Sequence, residues 1–432
     1  MTFTLHVDGE RWRAHTQSTC DAVRGAISAG THRHADGDLV PVAKGNGYGI
    51  GNDRLAREAT RLGLTRLAVG TVFEAVAAAP SYDGDILVMA PYEPADRVAA
   101  AAWARLERGP HAPRILRTVS APAAWAALVA PADGRDRGSR TAGAPVRVVL
   151  EALTSMGRFG LTADELLGVL RDDAARDAIA TGQIRLEGLA LHLPLAEPHT
   201  DHRTDPGARW HDSAVAPAPP AGATGRVIET HAWALGWLAA VADLSDRVRA
   251  AGSDDAAAAM TSAAALWVSH LEDGELATVR RALPEIALFA RIGTRLWLGD
   301  RAALRTRGTV LAVHDVGRGQ ASGYRQRRAS RAGAVLVIGG GTAHGVALEA
   351  PSPNASLRQR AIAAGTGVLD SVGWALSPFH VAGRQRWFAE PPHMQVSLVR
   401  VPEGVRLPAV GDEVDVDVRM TTAHPDRVLG LD

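Results

Sequence analysis

The chain has 432 residues, 46% of them hydrophobic and 22% charged, and its 47 basic residues are balanced by 47 acidic ones. That is the composition of a soluble globular protein with ample core, and the balanced net charge gives no sign of a nucleic-acid or membrane partner, so neither is expected. A single cysteine, Cys20, excludes an internal disulfide and a cysteine-based metal site.

The length points to two domains. The opening MTFTLHVDGERWR alternates polar and apolar residues and lacks the apolar core of a secretion signal. The longest apolar stretches, such as AWALGWLAAVA (232–242), fall short of the roughly 20 residues that cross a bilayer. A soluble, cytoplasmic protein is expected.

From about residue 20 to 300, apolar runs alternate with helical patterns. LVPVA (39–43) leads into NDRLAREATRLG, TRLAVG (65–70) into TVFEAVAAA, and DILVMAP (85–91) into EPADRVAAAAWARLE. RILRTV (114–119) precedes APAAWAALVA, and VRVVLEAL (146–153) precedes TADELLGVLRD. RLEGLALHL (185–193) precedes, after a long insertion, an apolar helix around 229–250, and IALFARIG (286–293) closes the series. Repeated strand-then-helix units argue a parallel sheet, and this many argue a closed (β/α)8 TIM barrel over an open doubly wound sheet. Beyond 300 the runs RTRGTVLAVHDVG, GAVLVIGGG, MQVSLVRV and DEVDVDVRM alternate with period two and are separated by turn residues. The expected division is therefore 1–300 as barrel and 301–432 as a β-rich C-terminal domain. GRDRGSRTAGAP (134–145) and the Pro- and Gly-rich 198–225 read as loops.

Chemistry concentrates at PVAKGNGYGIG (41–51). Lys44 is the sole lysine, so every other basic residue is arginine. Surface charge and phosphate contacts are thus served by guanidinium, which stays protonated, whereas a desolvated lysine becomes a neutral amine near pH 7–8 and forms a Schiff base with a carbonyl. A surface lysine surviving by chance is the alternative. Position weighs against it: Lys44 directly follows an apolar strand, at the end of a barrel strand where active sites are built.

VPVAKGNGYGIG resembles the lysine motif V-x-K-A-x-A-Y-G-H-G of the alanine racemase family, fold-type III pyridoxal-phosphate enzymes. The resemblance implies an N-terminal (β/α)8 barrel followed by a β-domain, with pyridoxal 5'-phosphate joined to Lys44 and Tyr48 beside the cofactor near its phosphate. LTSMGRFGLTADEL (153–166) is similar to the run T-G-M-x-R-x-G, which implies that Arg158 orients the substrate carboxylate. LEGLALHLPLAE (186–197) implies His192 beside the cofactor ring. SHL (269–271) implies Ser269 at the phosphate. ARIGTRLWLGD (290–300) resembles R-P-G-I-x-L-Y-G, implying Arg291 at the pyridine nitrogen and the Gly293 and Thr294 backbone at the phosphate. HMQVSLV implies that Met394 enters the substrate pocket from a second subunit, hence a homodimer with shared active sites. The expected substrate is a small amino acid, with D-alanine the family's product.

The pattern breaks where the family places its second base, a tyrosine in a G-Y-x-D-G-Y segment. The corresponding stretch is VLVIGGGTAHGVALEAP (335–351), with Gly340 at that position, and no tyrosine follows Tyr324 in the chain. Tyr324, in ASGYRQR, matches a different family tyrosine upstream. Gln395 stands where an aspartate is usual. Losing a positioned base costs about 10²–10⁴ in rate. Histidine is the side chain suited to act as a base at neutral pH, which makes His344, four residues beyond Gly340, the candidate replacement; a turn histidine without a role is the alternative. Glu151 takes the place of a lysine that carries a carbamate in many members, supplying its negative charge directly.

Other signals carry less. IGGGTAHG (338–345) mimics a dinucleotide fingerprint but is followed by Pro351 and Pro353 instead of a helix. His192, His199, Asp201, His202 and His211 are irregularly spaced for a metal site. YRQRRASRAG (324–333) reads as a solvated strand and turn. The expected function is a pyridoxal-phosphate-dependent amino-acid racemase acting through Lys44 with a non-standard second base. A carrier or regulatory paralogue without turnover, or a decarboxylase-type or one-base enzyme, is the alternative.

Overall fold

The computed structural model describes residues 2–29, 37–130, 144–196, 219–348 and 375–431. The loops expected at 134–145 and 198–225 fall mostly outside these residues, as do His199, Asp201, His202 and His211. Two compact units are present: one comprises Met1–His15, Gly45–Asn52 and Trp297–Asp432, the other Thr16–Lys44 and Asp53–Leu296.

The strand β1 (Phe3–Val7) belongs to the first unit, described below. The second unit is a closed barrel of eight parallel strands: β2 (Asp38–Ala43), β3 (Arg66–Val69), β4 (Asp85–Val88), β5 (Ile115–Val119), β6 (Val146–Ala152), β7 (Ile184–His192), β8 (Ala265–Ser269) and β9 (Ala287–Ile292). β2 closes on β9 with Val40 opposite Arg291, which removes the open-sheet alternative. The strands are buried on both faces and so read as continuous apolar runs without alternation. Alternation survives in which side chains meet. Val40, Val42, Ala68, Leu87, Leu116, Val149, Ala190, Trp267 and Phe289 form one cluster filling the interior. Capping boxes at Thr71–Glu74 and Thr162–Glu165 start the helices after β3 and β6, satisfying backbone donors that the first helical turn leaves free.

One barrel strand was not visible in the sequence reading. β8, ALWVS, is five residues long and follows the alanine-rich run Asp254–Ala263, which forms a helix and a single 3-10 turn. A short apolar run beside such a helix gives no period of its own.

The first unit is built on a mostly antiparallel sheet in the order β14 (Leu376–Val381), β15 (Arg384–Phe388), β16 (Val396–Pro402), β13 (Gly333–Gly339), β10 (Leu304–Val316), β1 and β18 (Arg427–Leu429), with β17 (Glu413–Asp415) also on β10. β11 (Ala321–Ser322) and β12 (Arg327–Arg328) form a separate hairpin, with Tyr324 exposed at its tip. Phe3, Val310, Leu336, Ile338, Phe379 and Val399 lie in its core. Trp297–Asp432 falls in this unit together with the chain's first residues, Met1–His15. β1 pairs antiparallel with β10, Phe3 opposite Gly308, and parallel with β18. Trp12 stacks on Trp297 and donates its indole N–H to the Trp297 carbonyl at 2.9 Å. These are partnerships between chain ends, which a local pattern does not encode.

Candidate active site

The interior cluster explains where the polar residues fall. Side chains two apart on a strand point the same way, so the next inward position beyond each cluster residue forms a ring at the C-terminal end of the barrel. Val40 and Val42 lead to Lys44, Ala68 to Gly70, Leu87 to Met89 and Leu116 to Thr118. Val149 leads to Glu151, Ala190 to His192, Trp267 to Ser269 and Phe289 to Arg291. His192, Ser269 and Arg291 are direct partners across three neighbouring strands. On four of these eight strands the inward position changes from apolar filling to an ionisable side chain, Lys44, Glu151, His192 or Arg291, within one residue pair. Gly70 keeps the ring open beside the lysine, since a β-carbon there would stand 3.2 Å from Lys44 Cβ and 2.7 Å from the Glu74 carboxylate.

Lys44 presents surface to solvent, yet protein surrounds its ammonium closely enough that desolvation leads the causes lowering its pKa. The cations Arg158 and Arg291 act in the same direction, and Glu74 opposes them. A larger share of neutral amine follows.

Arg291 is buried, and burial brings its pKa down to about 10, leaving it protonated at neutral pH. One terminal nitrogen donates to the Leu191 carbonyl at 3.0 Å, whereas Nε is buried without any hydrogen-bond partner. Glu151, 2% exposed, is its principal counter-charge, and Oε2 of that carboxylate is likewise unpartnered. Burial raises the Glu151 pKa, and Arg291 and Arg158 pull it back. A buried donor without a partner costs about 1–3 kcal/mol, so the Arg291 Nε–H marks a place where a ligand acceptor belongs.

His192 is pushed down to about 3, first by desolvation and then by Arg291, Arg158, His270 and Lys44. It is therefore a neutral ring at physiological pH, sharing a 3.1 Å hydrogen bond between Nδ1 and Ser269 Oγ. His270, which the sequence reading did not assign, adopts a left-handed backbone (φ 64°) and sets its ring edge-on to His192 at 5.0 Å. Its Nδ1 lies 2.6 Å from the Leu193 carbonyl and so carries the proton. Positive φ at a non-glycine residue is stored strain that clusters at functional sites.

Arg158 stands on a loop that leaves β6 and returns beside it. Leu153 N–H donates to Leu161 O at 2.9 Å and Leu161 N–H to Glu151 O at 2.8 Å, closing the base. Gly293 and Thr294 follow directly on β9, where a short helix, Thr294–Leu298, begins.

Lys44, Arg158, His192, Ser269 and Arg291 are thus brought together at one end of the barrel. Gly293 and Thr294 belong to the same unit, whereas Tyr48, His344 and Met394 lie in the first unit. Tyr48 is buried in a left-handed conformation (φ 55°) among glycines that also have positive φ. Met394 is 70% exposed. His344 is buried, its Nδ1 accepting from Gly341 N–H at 3.1 Å and its Nε2 facing Asp426 Oδ1 at 3.3 Å. With one nitrogen accepting and the other donating, its neutral ring has no lone pair left to act as a base. At Gly340 φ is +120° and a β-carbon would meet the Phe3 ring at 3.1 Å. The glycine run after β13 enters a single 3-10 turn, Thr342–His344, instead of the helix that a dinucleotide fingerprint opens at its glycines. Among the described residues no cluster of metal-binding side chains occurs, and no helix is long and apolar enough to cross a membrane.

The C-terminal end of this parallel barrel, where barrel active sites are built, gathers one lysine, a neutral histidine and two arginines. Residues 21–232 match the alanine racemase N-terminal domain. The alanine racemase of Beutenbergia cavernae is 34% identical over 187 residues, 43% of this chain and 44% of that protein, so the match spans less than half of the relative's length. Among solved structures, the alanine racemase of Bartonella henselae with covalently bound pyridoxal phosphate superposes with a TM-score of 0.56 at 14% identity, covering 98% of each chain. That from a D-cycloserine-producing Streptomyces lavendulae does so with 0.52 at 20% identity, covering 97% of this chain and 88% of that one. Residues 21–232 thus resemble the alanine racemase N-terminal domain in sequence, and the chain shares the fold of those solved alanine racemases.

Proposed function

We propose that the protein is a pyridoxal-phosphate-dependent racemase of a small amino acid, alanine the first candidate, with Lys44 as its covalent attachment point. The observation that carries this reading is the pairing of a solitary, partly desolvated lysine with a buried Arg291 whose Nε–H has no partner. The donor set fits the cofactor. Arg291 would hold the pyridine nitrogen as a donor that keeps its own proton, and His192 would lie against the ring. Ser269 and the backbone of Gly293 and Thr294 would take the phosphate, with Tyr48 assigned there by its motif.

When bound, pyridoxal phosphate supplies the aldehyde carbon and the electron-withdrawing ring that acidifies the substrate's α C–H. The protein's own residues do the rest. Arg158 binds the substrate carboxylate, and its charge also keeps the Lys44 amine from holding its proton too tightly. Lys44 Nζ takes and returns the proton on one face of the α-carbon. His192, uncharged, adds no competing proton donor beside the ring. The reading includes a homodimer, to which Met394 would contribute, and a cytoplasmic location.

The tethered ring of His344 favours a second reading over His344 as the opposite base: a one-base enzyme that exchanges the α-proton from the lysine side alone. Incubating the cofactor-loaded protein with D- or L-alanine in D2O separates the two. Racemisation gives deuterium in both enantiomers from either start, whereas one-base chemistry gives deuterium with retained configuration. No exchange from either enantiomer would sink both and favour a carrier.

A further inference from the structure

Arg158 makes no hydrogen bond or ion pair of its own among the described residues; its guanidinium only overhangs the adjacent Phe159 ring at 5.1 Å. Its position must therefore come from the loop's backbone, and that backbone is tied at a point remote from the arginine. Glu229, on the helix Gly225–Ala250, is 4% exposed. Its Oε1 accepts the Ser155 N–H and its Oε2 the Ser155 hydroxyl, both at 2.6 Å. Thr154 Oγ donates to the His192 carbonyl at 2.6 Å, tying the same turn to β7. Gly157 N–H closes onto the Thr154 carbonyl at 2.8 Å. The tip carrying Arg158 thus hangs between Ser155 and Gly160. A buried carboxylate is expensive to desolvate unless hydrogen-bonded, and this one engages both elements of a single serine.

We propose that Glu229 is a positioning residue for substrate-carboxylate binding: through Ser155 it fixes the loop that aims Arg158. This rests on the reading of Arg158 as the carboxylate-binding group. Charge-assisted, two-pronged hydrogen bonds are the strong ones, and misplacement of a binding group by about 1 Å costs up to ~10²-fold.

The test compares Glu229→Ala, Glu229→Gln and Ser155→Ala with the wild-type protein loaded with pyridoxal phosphate. Dissociation constants are read from the cofactor absorption band for D-alanine and for ethylamine, the same molecule without its carboxylate. Glu229→Ala is expected to weaken D-alanine by about tenfold or more and to leave ethylamine within about twofold. Ser155→Ala, which removes one of the two bonds and guards against a misfolded alanine variant, is expected to weaken D-alanine less and to spare ethylamine equally. Glu229→Gln is expected to restore D-alanine binding, because the serine hydroxyl can turn to accept from the amide while the amide oxygen still accepts the backbone N–H. Equal weakening of both ligands, or of neither, overturns the proposal. Hydrogen exchange of the cofactor-free protein supplies an independent readout: Glu229→Ala should deprotect the Ser155 amide and the 153–160 segment selectively. If the wild-type protein shows no cofactor band, the functional reading fails while the exchange experiment still decides whether Glu229 holds the loop. Unchanged protection there overturns the positioning role.

Discussion

Gly160 offers a sharp test of the loop geometry. Its φ is +132°, and a β-carbon added there would stand 2.2 Å from Ala152 C and from Leu153 N and 2.4 Å from Ala152 O. All three are backbone atoms at the end of β6, so no side-chain rotation relieves them. Ordinary contact lies near 3.5 Å, which demands that the loop move outward by roughly 1 Å. Gly157, three residues earlier, has φ +65° and nothing within 4 Å of its added β-carbon. Gly157→Ala therefore carries only the left-handed penalty, about 1–2 kcal/mol. Gly160→Ala adds overpacking against backbone, for a total of about 2–4 kcal/mol, and displaces Arg158. Thermal melts and spectral titration with D-alanine measure both effects. Gly160→Ala should lower the melting temperature more than Gly157→Ala and weaken D-alanine by about 10–100-fold. If the two variants behave alike, the account of how this loop closes is wrong.

Two further expectations concern pH, and both are read on cofactor-free protein. Burial raises the Glu151 pKa, so the native state binds more protons than the unfolded one just above the ordinary carboxylate range, and stability falls as pH rises through that window. Glu151→Gln removes the loss, so its melting temperature should gain on the wild type between pH 4 and pH 8; a progressive deficit instead would mean that the Arg291 charge outweighs desolvation. His192 goes the other way, with its native pKa near 3 below an unfolded value of about 6.5. The native state binds fewer protons between those values, so its contribution is complete above about pH 6.5 and is lost on acidification. His192→Asn should therefore lose less stability than the wild type from pH 6.5 to pH 4, and parallel profiles would contradict the desolvated ring.

Much of the barrel end was legible because its signals are local. Lys44, His192 and Arg291 each stand at or just beyond the end of an apolar strand, and period two carries the interior filling straight to them. What stayed hidden depends on tertiary partners. Glu229 lies 74 residues from Ser155, and nothing near either residue announces the other. The left-handed backbone of His270 is set by its surroundings and not by its side chain. His344 looked available as a base because the sequence cannot show Asp426, 82 residues away, taking its other nitrogen. The chain's opening strand was read with the barrel, its neighbour in sequence, although its sheet partner is β10.

The central claim is that one amine condenses with the cofactor. Because the chain holds a single lysine, borohydride reduction after incubation with pyridoxal phosphate, followed by trypsin and mass spectrometry, reads it without ambiguity. One pyridoxyl group on the His34–Arg54 peptide, localised to Lys44 and absent from Lys44→Ala, is the expected result. An unmodified peptide, or equal labelling of the Lys44→Ala protein, would contradict the account.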